Sequence, residues 1–235
     1  MITPDKSSKK SKKIQVKDMF NNISSKYDRI NQVMTLNMDQ NWRQTVYNLS
    51  MQDDPKKIID IATGTGDIAL CFANDDVEVI GIDNARQMLD IANQKKSSFK
   101  NIQFQLEDAE NMSFENNSFD VATVGFGVRN FEDLNKGLNE IKRILKPGKK
   151  LIILETAVPS FFLLRLGYLF YTKMVVPFLG KIIAGNQQAY NYLSNSAEQF
   201  PHGKDFKEIL EMNGFTDVTS IKLNLGIVNI YEATK

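Results

Sequence analysis

The chain has 235 residues, 42% of them hydrophobic, enough apolar surface for one α/β domain with a substantial core and no cross-links. Its charge is nearly balanced, 29 basic against 28 acidic residues, so no overall field draws it to nucleic acid. A single cysteine, Cys71, excludes an internal disulfide, and one cysteine with one histidine is too poor a stock for a zinc site; a reducing, cytoplasmic compartment and no metal are expected.

The segment from Met1 to Lys17 holds six lysines and lacks the apolar core of an export signal. Residues 1–15 are therefore expected to be a flexible basic tail, with contact to acidic lipid heads as the sharper alternative. From Val16 to Leu49 apolar residues recur at mixed three and four spacing, which predicts short amphipathic helices forming an N-terminal cap. Lys56 to Ala62 is a short apolar run stopped by glycine, the mark of a buried parallel strand, with a helix expected from about Asp67 to Ala73.

The pattern repeats. Strands are predicted at Val77 to Asp83, Ile102 to Leu106, Phe119 to Val124 and, after the Pro147-Gly148 turn, Lys149 to Glu155. Helices are predicted at Ala85 to Lys96 and Leu134 to Leu145. Residues 157–200 read as an apolar insertion, followed by a helix at Lys204 to Met212. Two closing strands, Val218 to Leu225 and Ile227 to Ala233, meet at a tight turn and suit an antiparallel hairpin at the sheet edge. The alternation implies a doubly wound, mostly parallel seven-stranded sheet with helices on both faces, in a single domain over 16–235.

Asp60-Ile61-Ala62-Thr63-Gly64-Thr65-Gly66-Asp67 links the first strand to the expected helix, and Asp83 lies nineteen residues after Gly64 at the end of the second strand. Gly64 and Gly66 let backbone approach a ligand closely. In open α/β sheets ligands lie beyond the carboxyl ends of the strands, where Asp83 can accept both ribose hydroxyls. The loop lacks the third glycine of the dinucleotide fingerprint and the Gly-Lys-Ser/Thr of a phosphate loop. Asp60 and Asp67 repel phosphate but suit the ammonium end of an amino-acid tail, and Asp108, beyond the third strand, suits an adenine amino group. The ligand expected is S-adenosylmethionine.

Four segments then resemble the class I methyltransferases that C-methylate demethylmenaquinone or the ubiquinone precursor. They are Tyr27-Asp28-Arg29-Ile30-Asn31 through Asn41-Trp42-Arg43, Gly64 to Asp67, Gly125-Phe126-Gly127-Val128-Arg129-Asn130, and Arg143 to Gly148. The resemblance runs from about Val16 to Lys235. It implies cofactor contacts at Thr65, Asp83, Asp108 and Ala109 beside Gly64, Gly66 and Asp60. Gly125 stands where many relatives carry serine, and Asp39 where they often carry histidine.

The resemblance implies methyl transfer to a ring carbon of a polyprenyl quinol, demethylmenaquinol before the ubiquinone precursor. Another lipid-like acceptor and an idle cofactor-binding scaffold are the alternatives. Arg129, at the cofactor edge, can stabilise a quinol oxyanion or instead tie its loop to a carboxylate such as Glu155. Tyr190, Tyr192 and Asn130 are candidates to align the ring, and Tyr27 and Asp28 to close the site. His202 sits in a turn-like stretch and is read as a surface residue.

Arg165, Lys173 and Lys181 interrupt the apolar run from Val158 to Ala184, and Pro177 is expected to break its helix. The run reads as an interfacial surface rather than a spanning helix, facing lipid, an isoprenoid tail or a second subunit of a homodimer.

Overall fold

In the computed structural model, which describes residues 2–97 and 99–235, two helices precede the sheet: α1 (Lys12–Thr35) and α2 (Met38–Ser50). The Ser11 side chain caps α1 by accepting from the Ile14 N–H, and Leu36 and Asn37, both at positive φ, turn the chain into α2. The N-terminal stretch read as a free tail is anchored at its end. Lys12 Nζ donates to the carbonyls of Arg129 and Phe131 at 2.9 and 2.6 Å, and Lys13 Nζ lies 2.8 Å from Asp108.

The sheet elements follow as β1 (Lys57–Ile61), β2 (Glu78–Asp83), α3 (Arg86–Lys96), β3 (Ile102–Leu106), β4 (Phe119–Gly125), α4 (Leu134–Ile144) and β5 (Leu145–Thr156). The helix expected over 67–73 is only a 3-10 turn, Ala69–Phe72. The polar Asn74-Asp75-Asp76 turn and the start of β2 at Glu78 leave no room for more. The second half of the insertion holds α6 (Gln187–Gln199), and after it come α7 (Lys204–Met212), β6 (Thr216–Leu223) and β7 (Val228–Thr234).

The seven strands run in the order β3-β2-β1-β4-β5-β7-β6. The first five strands pair in parallel, and β7 enters antiparallel between β5 and β6. The order reverses between β1 and β4, and the crevice for a ligand opens at their carboxyl ends. Residues alternate between two apolar layers: Ile153, Tyr231 and Ala233 pack on one face with α4 and α7, and Ile152, Leu154 and Ile230 on the other with α2. A third cluster joins Ile23 and Ile30 of α1 to Met88, Val176 and Tyr190, so the N-terminal cap and the insertion close over the sheet edge together.

The apolar run of the insertion is one continuous helix, α5 (Phe162–Ala184), 23 residues long with mean hydropathy 1.3. By length and composition it is sufficient to cross a membrane, contrary to the expectation from its interrupting charges. Pro177 does not break it. The proline sits in the first turn of an α-helical segment that follows a π-helical turn over Tyr171–Val175, where the wider turn removes the need for its missing N–H. Gly180 lies so close to the Tyr190 ring that a Cβ there would collide with it.

Candidate functional site

Gly64 and Gly66 both take positive φ in the loop after β1, and a Cβ on Gly66 would stand 2.6 Å from the Phe104 ring. The loop is therefore tight at Gly66, where there is no room for a side chain, while at Gly64 it is the positive φ that favours glycine. Asp83, at the end of β2, accepts from the Gly64 N–H at 2.9 Å through one oxygen and from the Ala85 N–H at 2.8 Å through the other. Burial raises its pKa, against the opposing pull of those N–H groups.

Asp60 is 1% exposed at the end of β1. Its two oxygens accept from Thr63 Oγ1 and, at 2.8 Å, from Thr123 Oγ1. Burial pushes its pKa up to about 6 despite both hydroxyls. Its carboxylate therefore stiffens the loop and gains from any cation placed beside it.

Two cavities meet at this edge. The smaller, about 80 Å³, is lined by Gly64, Asp83, Met88, Asp108, Ala109 and Asn130. The larger, about 590 Å³, is lined by Asp60, Thr65, Trp42, Arg129, Leu163 and Tyr168 among others. Tyr27, Ala62, Gly64, Gly125 and Phe126 line both, so the two compartments form one bent space around the glycine loop. The smaller has the carboxylates of Asp83 and Asp108 at its wall, and the larger has mostly apolar walls. This division fits adenosine on one side and a hydrophobic acceptor on the other.

Of the sequence-predicted cofactor residues, Gly64, Asp83, Asp108 and Ala109 gather at the small compartment, and Asp60 and Thr65 at the large one. Gly66 lines neither and acts through the loop's shape. Asp108 already accepts from Lys13 and from the Glu110 N–H. At Gly125 the Ile68 side chain fills the space a Cβ would take.

Arg129 is held at the wall of the large cavity in an ion pair with Glu155, and the two side chains are 8% and 1% exposed. Its pKa is raised: burial opposes the charge, but Glu155, Tyr27 and Tyr192 outweigh it. The tie to Glu155 is the sequence reading of Arg129 seen directly: Nη1 binds Glu155, while Nε is sealed off without a partner among the described residues. Nη2 has no hydrogen-bond partner among the described residues and is not sealed off as Nε is.

Tyr192 Oη donates to Asn130 Oδ1 at 3.1 Å, and burial lifts its pKa to about 12. Tyr190 is fully buried in the third cluster and lines neither cavity. It packs against Gly180 rather than facing an acceptor. His202 lies away from both, near Phe200.

A polar clamp over the loop joins Asp28, expected to close the site, to partners that nothing in the sequence pairs with it. Thr65 Oγ1 donates to Asp28 Oδ1 at 2.6 Å, while Lys95 binds Asp28 at 2.9 Å and also pairs with Asp67. Arg43 bridges Asp39 and Asp67 at 2.6 and 3.0 Å. These ties fasten α1, α2 and α3 around the loop. Their members are scattered over nearly seventy residues, too far apart for spacing to reveal.

The chain is 39% identical over 226 residues to a demethylmenaquinone methyltransferase of Bacteroides fragilis, covering 94% of this chain and 92% of that one. It is 38% identical to the demethylmenaquinone methyltransferase of Thermus thermophilus, with 91% and 98% covered. To the ubiquinone/menaquinone biosynthesis C-methyltransferase of Rickettsia prowazekii it is 35% identical, with 94% and 92% covered. The fold is also that of a Thermotoga maritima SAM-dependent methyltransferase, called a possible histamine N-methyltransferase, at TM-score 0.65 and 19% identity, covering 93% of this chain and 99% of that one. With the ubiE/COQ5 methyltransferase family matching residues 6–235, nearly its whole length, the chain belongs to that family.

Proposed function

We propose that the protein transfers a methyl group from S-adenosylmethionine to a ring carbon of demethylmenaquinol, giving menaquinol. The observation that carries this reading is Arg129, fixed at the wall of a large, mostly apolar cavity that joins the cofactor compartment through Tyr27, Gly64 and Phe126. The full-length likeness to demethylmenaquinone methyltransferases supports it.

When bound, S-adenosylmethionine supplies a methyl group on a sulfonium, an electrophile that needs alignment more than activation. Asp83 and Asp108 hold the ribose and adenine, and Asp60 attracts the ammonium of the tail. The apolar walls exclude water from the quinol ring. The quinol hydroxyl, with an ordinary phenolic pKa of about 10, loses its proton to solvent, and Arg129 stabilises the oxyanion that makes the ring carbon nucleophilic. The new C–C bond forms as the S–CH3 bond breaks. The ring carbon then gives up its own proton as the hydroxyl regains one, for a net release of one proton.

The acceptor carries a long isoprenoid tail, and α5 provides its route. Leu166, Phe170, Met174, Phe178 and Ile182 recur every four residues as an exposed stripe, beside Arg165, Lys173 and Lys181. Leu163 and Leu164 connect this stripe to the cavity wall. In this reading the protein works on the cytoplasmic surface of a membrane, with α5 lying in the headgroup layer and the cations on acidic lipid. Purified protein given demethylmenaquinol and labelled S-adenosylmethionine is expected to yield labelled menaquinol. Labelling only of a ubiquinone precursor, or of no quinol, would overturn the assignment.

A further inference from the structure

Behind Arg129 lies a row of buried polar side chains with unmet hydrogen bonds. Glu155 Oε1 accepts from Arg129 and from the N–H and hydroxyl of Thr156, while Oε2 is sealed off with no partner. On the adjacent strand, Asn229 stands directly opposite Glu155 in the β5–β7 register. It is 2% exposed, and its Oδ1 also lacks a partner. Its Nδ2 lies 3.0 Å from the hydroxyl of Tyr231, two residues along and on the same face, which also accepts from the Gly203 N–H at 2.7 Å.

Two buried acceptors on directly paired residues, each without a donor, are a costly arrangement, since an unmet buried polar atom has lost its water and gained nothing in return. The Tyr231 hydroxyl already receives two donors, leaving its own hydrogen without an acceptor. Turning the Asn229 amide half a revolution, a motion about a broad sp3–sp2 torsion, meets all these needs together. The Tyr231 O–H then donates to the Asn229 carbonyl oxygen, and the Asn229 NH2 donates to Glu155 Oε2.

We infer that Asn229 is a positioning residue for methyl transfer, holding Glu155 by an amide donor so that Glu155 in turn holds the Arg129 guanidinium toward the acceptor. Tyr231 fixes the amide's orientation, and Gly203 at the start of α7 fixes the Tyr231 hydroxyl. The chain Gly203, Tyr231, Asn229, Glu155, Arg129 thus couples the antiparallel edge of the sheet to the cavity. The inference rests on the proposed role of Arg129.

Asn229→Leu deletes the donor at similar volume. It is expected to lower kcat about tenfold, on the scale of one lost hydrogen bond to a charged group, with S-adenosylmethionine affinity and acceptor KM within about twofold. Asn229→Asp supplies a readout that packing alone does not move. A carboxyl facing Glu155 in a buried site has its pKa raised, and only its protonated form can donate. Its kcat relative to the unaltered protein should be highest near about pH 6 and fall towards about pH 8. Tyr231→Phe should lower kcat in the same direction by less.

An Asn229→Leu protein with unaltered kcat, or one losing cofactor affinity in step with turnover, would overturn the relay, as would an Asn229→Asp loss constant with pH. Arg129→Lys serves as the separate control. Undiminished turnover there removes the underlying reading, whereas an impaired Arg129→Lys beside a normal Asn229→Leu removes the relay alone.

Discussion

Arg129 and Glu155, twenty-six residues apart in sequence, form a buried ion pair that presents a guanidinium to the acceptor cavity while neutralising its charge from behind. Each partner keeps one sealed atom without a hydrogen bond, Nε on one side and Oε2 on the other. The pair is therefore placed for position rather than maximal stability, because burying two charges recovers little net energy.

Removing one partner exposes that cost. Glu155→Gln leaves the Arg129 charge buried with a weaker acceptor, and unfolding free energy should drop by about 3 kcal/mol. Arg129→Gln should lower kcat about a hundredfold, as for loss of an oxyanion donor, with a smaller change in KM. Denaturant melts and steady-state kinetics on the two variants check this.

Asp83→Asn keeps an oxygen for the Gly64 N–H, sets its NH2 against the Ala85 N–H, and loses the charge that strengthens bonds to ribose hydroxyls. S-adenosylmethionine binding should weaken about tenfold while the melting temperature stays within a few degrees. Calorimetric titration beside a thermal melt separates the two effects.

Asp60 gives the pH dependence. Burial raises its folded pKa to about 6 from an ordinary 3.8. Between those values the folded chain holds more protons than the unfolded one, so this residue's contribution to stability is full below the window and declines as pH rises through it. Cofactor binding runs the other way, since the ammonium favours ionised Asp60. Affinity should weaken as pH falls below about 6, by up to about tenfold per unit. Asp60→Asn should flatten both profiles and raise the melting temperature of the ligand-free protein above pH 6, which melts and titrations from pH 5 to 8 would reveal.

Trp42, the chain's single tryptophan, is 4% exposed and lines the large cavity beside Arg43 and Met38. Quinone bound there should quench its emission. The quench should saturate at acceptor concentrations comparable to KM and be absent with S-adenosylhomocysteine alone, as followed by fluorescence titration.

The α5 stripe makes a prediction about partitioning. Replacing Phe170, Met174 and Phe178 with serine removes exposed apolar surface without touching either cavity wall. Sedimentation with vesicles containing acidic lipid should fall about tenfold or more, on the scale of about 25 cal/mol per Å² of apolar area. Turnover with a short-tailed soluble quinol should be unchanged.

Local chemistry in the sequence determined the strands, the glycine loop and the acidic residues at the ends of β1 and β2. A buried parallel strand, a positive-φ turn and a carboxylate nineteen residues on all reside in a short stretch of chain. Arg129 was legible as a candidate for the same reason, since it follows a strand at the ligand edge. Spacing could not assign Tyr190, because only the packing of α5 against α6 buries it behind Gly180.

Nor could local rules foresee that a π-helical turn carries α5 through Pro177, or that Lys13 settles on Asp108. The pairing of Glu155 and Asn229, seventy-four residues apart, depends on an antiparallel register in which a slip of one residue would turn either side chain to the opposite layer. The cofactor's cradle is thus a property of contiguous residues, while the geometry behind Arg129 exists only once distant strands pair.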